Sequence, residues 1–121
     1  MSIKFTIDKP IFLQLAEIIK ANIISGELKP NEKLPSVREL ALFYAINPNT
    51  VQKALQILEA DGLIYTDRTN GKYVSDSMNI FELEKNKIIK HEIGVFVDKL
   101  KALGLNIEEI KKLMNDIGDD E

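Results

Sequence analysis

The stretch that decides the fold is Ser36–Val74, SVRELALFYAINPNTVQKALQILEADGLIYTDRTNGKYV. It contains two helix starts close together. Ser36 and Glu39 have the spacing of a capping box, in which each side chain bonds the backbone amide of the other residue. Asn47 is a typical N-cap residue, and Pro48 directly after it is typical of the first position of a helix, so a second helix is predicted to start here. Since only about three residues separate the two helices, they are predicted to pack at a steep angle as a helix-turn-helix.

The second of these helices has two chemically different faces. The apolar face comprises Val51, Ala54, Leu55 and Leu58, and the polar face comprises Asn49, Gln52, Lys53 and Gln56. Asparagine and glutamine pair bidentately with adenine, lysine reaches guanine or phosphate, and Thr50 can touch a phosphate or a thymine methyl. Taken alone, a polar helix face is more often an ordinary solvent-exposed surface than a nucleic-acid contact. The absence of acidic residues between Asn47 and Ile57 favours contact with nucleic acid instead.

A β-hairpin is predicted directly after this helix, which Asp61-Gly62 ends. Its strands are Leu63–Thr66 and Lys72–Ser75, and the turn between them contains Asn70-Gly71, a strong reverse-turn signal. A hairpin in this place is the wing of a winged helix-turn-helix.

Three cations of the segment each have two interpretations. Arg38 lies near a helix N-terminus, where a cation gains nothing from the helix dipole, so an external phosphate is an attractive partner. The alternative is an ordinary surface arginine. Arg68 and Lys72 are either ordinary hairpin charges or contacts to the DNA backbone.

The rest of the chain is predicted to be helical. A first helix starts at Pro10 and closes at Ser25-Gly26. Asn79 caps a long helix that runs to Gly104, and Asn106 starts a last helix that Gly118 ends. The fold class is therefore mainly α with a small β-wing, a winged helix-turn-helix followed by a two-helix dimerisation tail.

The apolar surface of the last two helices is too wide for the pair to cover by itself. A copy of the same pair in a two-fold interface is the commonest cover, with the first domain or a small apolar ligand as alternatives. The predicted dimerisation residues are Ile89, Ile93, Phe96, Leu100, Leu103, Ile110, Leu113 and Met114. Domain boundaries follow: residues 1–76 form the DNA-binding domain and residues 77–121 the dimerisation region.

Bulk charge does not support DNA binding. The net charge is −3; residues 1–77 hold nine Lys or Arg and nine Asp or Glu, and residues 78–121 hold seven and ten. DNA binding therefore requires local clustering of a few cations. The cations available are Lys33, Arg38, Lys53, Arg68 and Lys72.

Composition excludes several other classes of protein. Apolar residues make up 45% and charged residues 29%, an ordinary globular balance. The chain has no cysteine, which excludes disulfides and thiolate sites. It shows neither a signal peptide nor a membrane span, so a cytoplasmic location without a membrane partner is expected. No catalytic pattern is visible, and we expect no enzyme, no cofactor and no metal site.

Four blocks of sequence, in order, resemble the GntR family of regulators. They are Leu34–Ala41, Thr50–Leu55 with Leu58, Gly62–Ile64 and Gly71–Val74, and the match covers about residues 10–76. The short tail is similar to that of the YtrA-like subfamily, in which it serves dimerisation. The resemblance implies that Arg38 holds a phosphate or base edge, that the third helix enters the major groove, and that Gly71 brings the wing tip to the minor groove.

The chain departs from the family pattern at four positions. Many members carry arginine where this chain has Pro48 and Gln52, so their guanine contacts do not transfer. Ala45 and Asn31 replace frequent glycines, which predicts strain of about 1 kcal/mol at Ala45 if its backbone is left-handed.

We therefore predict a sequence-specific DNA-binding transcription regulator, a repressor that acts as a homodimer on a pseudo-palindromic operator in double-stranded DNA. A winged-helix protein-docking module is the alternative. The operator sequence and any small-molecule effector stay open. The predicted DNA-binding residues are Ser36, Arg38, Asn47, Asn49, Thr50, Gln52, Lys53, Gln56, Arg68, Gly71, Lys72 and Tyr73.

Overall fold

The computed structural model describes residues 4–119 and confirms the predicted fold class. The elements of this part of the chain are α1 Ile11–Ser25, α2 Val37–Tyr44, α3 Pro48–Ala60, β1 Ile64–Asp67, β2 Gly71–Val74, α4 Met78–Ala102 and α5 Ile107–Asp119. The contacts divide the chain into two compact units, with the boundary between Leu83 and Glu84. The first turns of α4 thus belong to the first unit, and the functional division at residue 76 stays a prediction.

The core of the first unit forms where α1 and α2 both pack against α3. Helix α1 starts one residue later than predicted, because Pro10 is its N-cap, and Gly26 closes it with a φ of 89°. Leu15, Ile19 and Ile23 bury the inner face of α1. The connector between α1 and α2 adds buried Leu34 and half-buried Leu28 to the same cluster.

Helices α2 and α3 begin at the two predicted caps. The Ser36 hydroxyl oxygen accepts from the Glu39 N–H at 3.1 Å, and Glu39 Oε1 accepts from the Ser36 N–H at 3.0 Å. The Asn47 side chain accepts from the Asn49 N–H at 2.8 Å. Residues 45–47 alone join the two helices, which confirms the helix-turn-helix.

The turn between α2 and α3 depends on a left-handed alanine. Ala45 has φ 56° and ψ 49°, and its N–H donates to the carbonyl oxygens of Ala41 and Leu42. A side chain with a Cβ costs about 1–2 kcal/mol in this region. The strain predicted from the sequence at this position is therefore present.

We expect Ala45→Gly to raise the free energy of unfolding by about 0.5–1 kcal/mol, because relief of the left-handed strain exceeds the extra chain entropy of glycine in the unfolded state. Urea denaturation measures the change. Ala21 is exposed inside α1 and gives the matched control, since Ala21→Gly should lower stability by about 0.5–1 kcal/mol. A loss of stability at both positions would contradict the strain at Ala45.

The wing is a hairpin with a third strand-like segment beside it. Both strands begin and end within one residue of the predicted limits, and Ile64 pairs with Val74 in antiparallel register. The connector also bonds β2, since the Leu34 N–H donates to Lys72 O at 2.8 Å and Lys33 pairs with Tyr73 as an isolated bridge. The sequence pattern did not predict this third segment.

Helix α4 starts at Met78, one residue before the predicted cap. Ser77, not Asn79, is the cap: its hydroxyl oxygen accepts from the Ile80 N–H at 3.3 Å. Phe81 follows on the inner face of the first turn and is buried in the core of the first unit. The prediction for Asn79 was wrong because serine two residues earlier offers the same hydrogen bond and lets Phe81 reach the core.

The second unit contains the rest of α4 and α5. Helix α4 ends at Ala102, and Gly104 follows with a φ of 95°, as predicted. Asn106 and Glu109 form the predicted reciprocal cap, with hydrogen bonds of 2.9 and 3.1 Å. Helix α5 continues through Gly118 to Asp119, so the predicted end at Gly118 was wrong.

Candidate nucleic-acid interface

The polar face of α3 is solvent-exposed along its length. Asn49, Gln52, Lys53 and Gln56 are exposed, and Thr50 is half-buried. Val51, Ala54, Leu55 and Leu58 on the other face are all at most 1% exposed, which holds the helix against the core. Within residues 4–119, no side-chain hydrogen bond engages Asn49, Gln52 or Gln56. Their donors and acceptors are free to pair with base edges.

Lys53 has a partner inside the chain. Its Nζ lies 5.7 Å from the centre of the Phe12 ring of α1, a cation–π distance. The contact holds the ammonium at one edge of the polar face. A base or phosphate contact by Lys53 would have to replace this contact.

Arg38 lies on the exposed side of the first turn of α2. No carboxylate in the described part of the chain forms an ion pair with it. The neighbouring Glu39 directs Oε1 to the Ser36 N–H as part of the cap. The guanidinium of Arg38 is thus an exposed charge available to an external anion.

The wing separates two predicted contact residues. Strand alternation places Lys72 and Tyr73 on opposite faces of the hairpin. Lys72 Nζ lies 2.9 Å from Thr66 Oγ1 and 3.3 Å from Glu59 Oε1 at the end of α3. Tyr73 stacks on Tyr65 on the other face, with ring centres 5.7 Å apart. The two side chains therefore do not form one contact surface.

The tip of the wing presents Arg68 to solvent. Asp67 organises this turn, because its Oδ1 accepts from the Thr69 N–H at 3.0 Å. The Thr69 N–H, followed by the Thr69 hydroxyl, lowers the pKa of the Asp67 carboxyl by hydrogen bonding to it. Gly71 follows with a φ of 100°, a conformation that strains any residue with a Cβ. The tip is thus a fixed backbone shape that carries one exposed cation.

A groove between the start of α2 and the inner face of the wing brings Lys33, Ser36 and Lys72 together. Lys33 Cε lies 3.6 Å from the position a Cβ on Gly71 would occupy. Lys33 was counted among the available cations but not among the predicted DNA-binding residues. Its place beside the wing depends on the pairing of the connector with β2, for which the sequence carries no local signal.

Glu59, near the end of α3, forms an ion pair with Lys72 at 3.3 Å and compensates its charge. The Thr66 hydroxyl, followed by the Lys72 ammonium, lowers the pKa of the Glu59 carboxyl, which is ionised at neutral pH. An ionised carboxylate next to the predicted DNA contact opposes phosphate binding.

We expect Glu59→Gln to raise the affinity for DNA about twofold to fivefold at low salt, the size of an exposed ion pair. Fluorescence anisotropy with a labelled promoter fragment measures the affinity of each variant for DNA. Glu27 is an exposed connector carboxylate without an ion pair in the described residues, and Glu27→Gln is the control for the change in net charge. An equal rise in DNA affinity in both variants would show that the effect comes from the net charge and not from the release of Lys72.

The predicted dimerisation residues separate into two groups within the second unit. Ile110 is 2% exposed and Leu100 is half-buried, so the chain itself covers them. The others are exposed: Ile89, Ile93, Phe96, Leu103, Leu113 and Met114. Ile107 and Ile117 of α5 are exposed too. The second unit therefore leaves a large apolar area open to solvent, and Ile110 belongs to its interior.

Two other kinds of feature are absent from residues 4–119. No three His, Cys, Asp or Glu side chains there come close enough together to hold a metal ion. None of the described helices has the length and apolar character needed to cross a membrane.

The chain is similar in sequence to known bacterial regulatory proteins. Residues 12–74 match a family model described as bacterial regulatory proteins, gntR family. The chain is 37% identical over 110 residues to the HTH-type transcriptional regulator YhcF of Bacillus subtilis, which covers 91% of both chains. It is 36% identical over 112 residues to the HTH-type transcriptional repressor YtrA of the same organism, which covers 92% of this chain and 86% of that one.

Solved structures agree with the sequence relatives. A GntR family transcriptional regulator from Listeria monocytogenes superposes with a TM-score of 0.85 at 36% identity, covering 93% of this chain and 98% of the other. The DNA-binding domain of AraR in complex with operator ORR3 superposes with a TM-score of 0.52 at 25% identity, covering 62% of this chain and 95% of the other.

Proposed function

Since this chain belongs to the GntR family of bacterial transcription regulators, we propose that it is a repressor that binds a pseudo-palindromic operator as a homodimer. The family membership makes it a DNA-binding transcription regulator and not an enzyme. The repressor role is supported by the similarity to YtrA, which covers most of both chains.

The observation that carries the proposal is the exposed, acid-free polar face of α3. Its amide side chains have no partner within residues 4–119, and the buried face holds the helix rigidly against α1 and α2. We assign base reading to Asn49, Gln52, Gln56 and Lys53. Contacts that position the DNA backbone are assigned to Ser36, Arg38, Thr50, Arg68 and Lys72. Tyr73 stacks on Tyr65 on the other face of the wing and is not assigned a contact.

The homodimer is supported by the exposed apolar residues of α4 and α5. A folded unit that leaves Ile93, Phe96 and Leu103 in water is expected to bury them against a partner. A second copy satisfies this with a self-complementary interface, and a two-fold protein matches a two-fold operator.

The proposal is tested by footprinting the full chain on the DNA upstream of its own gene. Two protected half-sites related by a two-fold axis are expected, and the logarithm of the affinity should fall steeply with the logarithm of the salt concentration. DNA of the same length with a shuffled sequence is the control. No protection at low salt, or an affinity independent of salt, would contradict DNA reading and favour the docking-module alternative.

A further inference from the structure

The first unit contains a second concavity that DNA reading does not use. It lies between α1, the connector and α2, and no residue of α3 lines it. Its volume is about 370 Å³, within the size range of small-molecule sites. We call it the α1–α2 pocket.

The walls of the α1–α2 pocket are mostly apolar and in part aromatic. Buried Ile19, Leu34 and Leu40 form its apolar wall. The Phe43 and Tyr44 rings meet edge to face beside it, with centres 4.8 Å apart. Phe43 is 63% exposed, so the core of the single chain does not account for this aromatic residue.

Glu39 and Asn22 are polar residues of the pocket with free hydrogen-bonding capacity. Glu39 uses Oε1 for the Ser36 N–H, and within residues 4–119 no hydrogen bond reaches its second carboxylate oxygen. The half-buried side-chain amide of Asn22 has no hydrogen-bond partner in the same range. The Ser36 amide and hydroxyl lower the pKa of the Glu39 carboxyl, which is therefore charged at neutral pH.

We propose that the α1–α2 pocket binds a small organic cation with an apolar or aromatic body. The ammonium group lies at the Glu39 carboxylate and near the aromatic rings, whose faces attract cations. The apolar body covers Leu40 and Phe43, and Asn22 bonds a polar group of the ligand. A neutral ligand gains no ion pair with the carboxylate, and an anion would be repelled by it. Leu34, Pro35 and Glu39 line both this pocket and the groove beside the wing, but the proposed ligand binding does not depend on operator binding.

Three probes of the same length test the charge preference: phenylbutylamine, phenylbutanol and phenylbutyrate. Each is titrated into the full chain at neutral pH, and the NMR shifts of the Leu40, Phe43 and Tyr44 amides are followed. The amine should bind about fivefold more tightly than the alcohol, as an exposed ion pair allows, and the carboxylate should bind most weakly. Equal binding of the amine and the alcohol, or no shift at these amides, would overturn the proposal.

Variants of pocket residues test whether the preference for the amine over the alcohol arises in the α1–α2 pocket. Glu39→Gln keeps the capping-box geometry, because glutamine serves at this position, and should abolish the fivefold advantage of the amine. Phe43→Ala should weaken the amine and the alcohol alike. The neighbouring Leu42 is 76% exposed and does not line the pocket, so Leu42→Ala is the matched control with unchanged binding. An amine advantage that survives Glu39→Gln would place the cation elsewhere and overturn the assignment.

Discussion

Replacing Phe96 by glutamate is expected to convert the protein to a monomer and to lower its operator affinity about 1,000-fold, to the level of non-specific DNA. Phe96 is 44% exposed in the single chain and lies on the proposed interface. In a two-fold interface a carboxylate at this position is taken out of water near its own copy, which costs several kcal/mol. Each monomer then binds one half-site without the gain from linking two sites.

Analytical ultracentrifugation and fluorescence anisotropy measure the two effects. His91 is exposed on α4, five residues away and about 140° around the helix, so His91→Glu adds the same charge on another side. This control should stay dimeric with unchanged operator affinity. Leu103→Glu is a second test just after the C-terminal end of α4, where the side chain is 78% exposed and a charge does not disturb the single chain. Full operator affinity in a monomeric variant would contradict the dimer proposal.

Replacing Arg38 by alanine is expected to lower the affinity for operator and for unrelated DNA by the same factor, at least about 100-fold in a dimer. The guanidinium is exposed and has no ion pair within residues 4–119. A hydrogen bond to a charged group contributes about 1.5–3 kcal/mol, and each dimer carries two copies of Arg38. The slope of log affinity against log salt should fall by about two, one for each phosphate that the variant no longer neutralises.

The two kinds of contact are distinguished by a base-reading variant and a charge control. Gln52→Ala should leave unrelated DNA unaffected and relax discrimination at one base pair per half-site by about 1–3 kcal/mol. Lys9 is already paired with Glu17 at 3.1 Å, so Lys9→Ala removes one positive charge with little expected loss of affinity. A loss for Arg38→Ala that is confined to one operator base would assign this residue to base reading rather than to phosphate.

Local patterns in the sequence were sufficient for the helices and their caps. The hydrogen bonds at Ser36, Asn47 and Asn106 each reach two or three residues along the chain, and a residue pattern reports interactions of that range. The left-handed backbone of Ala45 was expected from the family resemblance instead, because glycine is frequent at this position in the family. The cap at Asn79 failed as a prediction because Ser77 competes for the same position.

The sequence by itself thus determined the order of the elements, the exposed polar face of α3 and the apolar excess of the tail. Only the tertiary structure decided that Lys33 joins the wing, that Glu59 compensates Lys72 and that Lys53 covers Phe12. These contacts join residues 13 to 41 positions apart, and such pairs meet only after the helices pack on one core. Helix periodicity predicts which side chains share a face, whereas the partner of that face depends on packing. The charge available to DNA at the proposed interface is therefore a property of the folded chain, which its near-neutral sequence does not reveal.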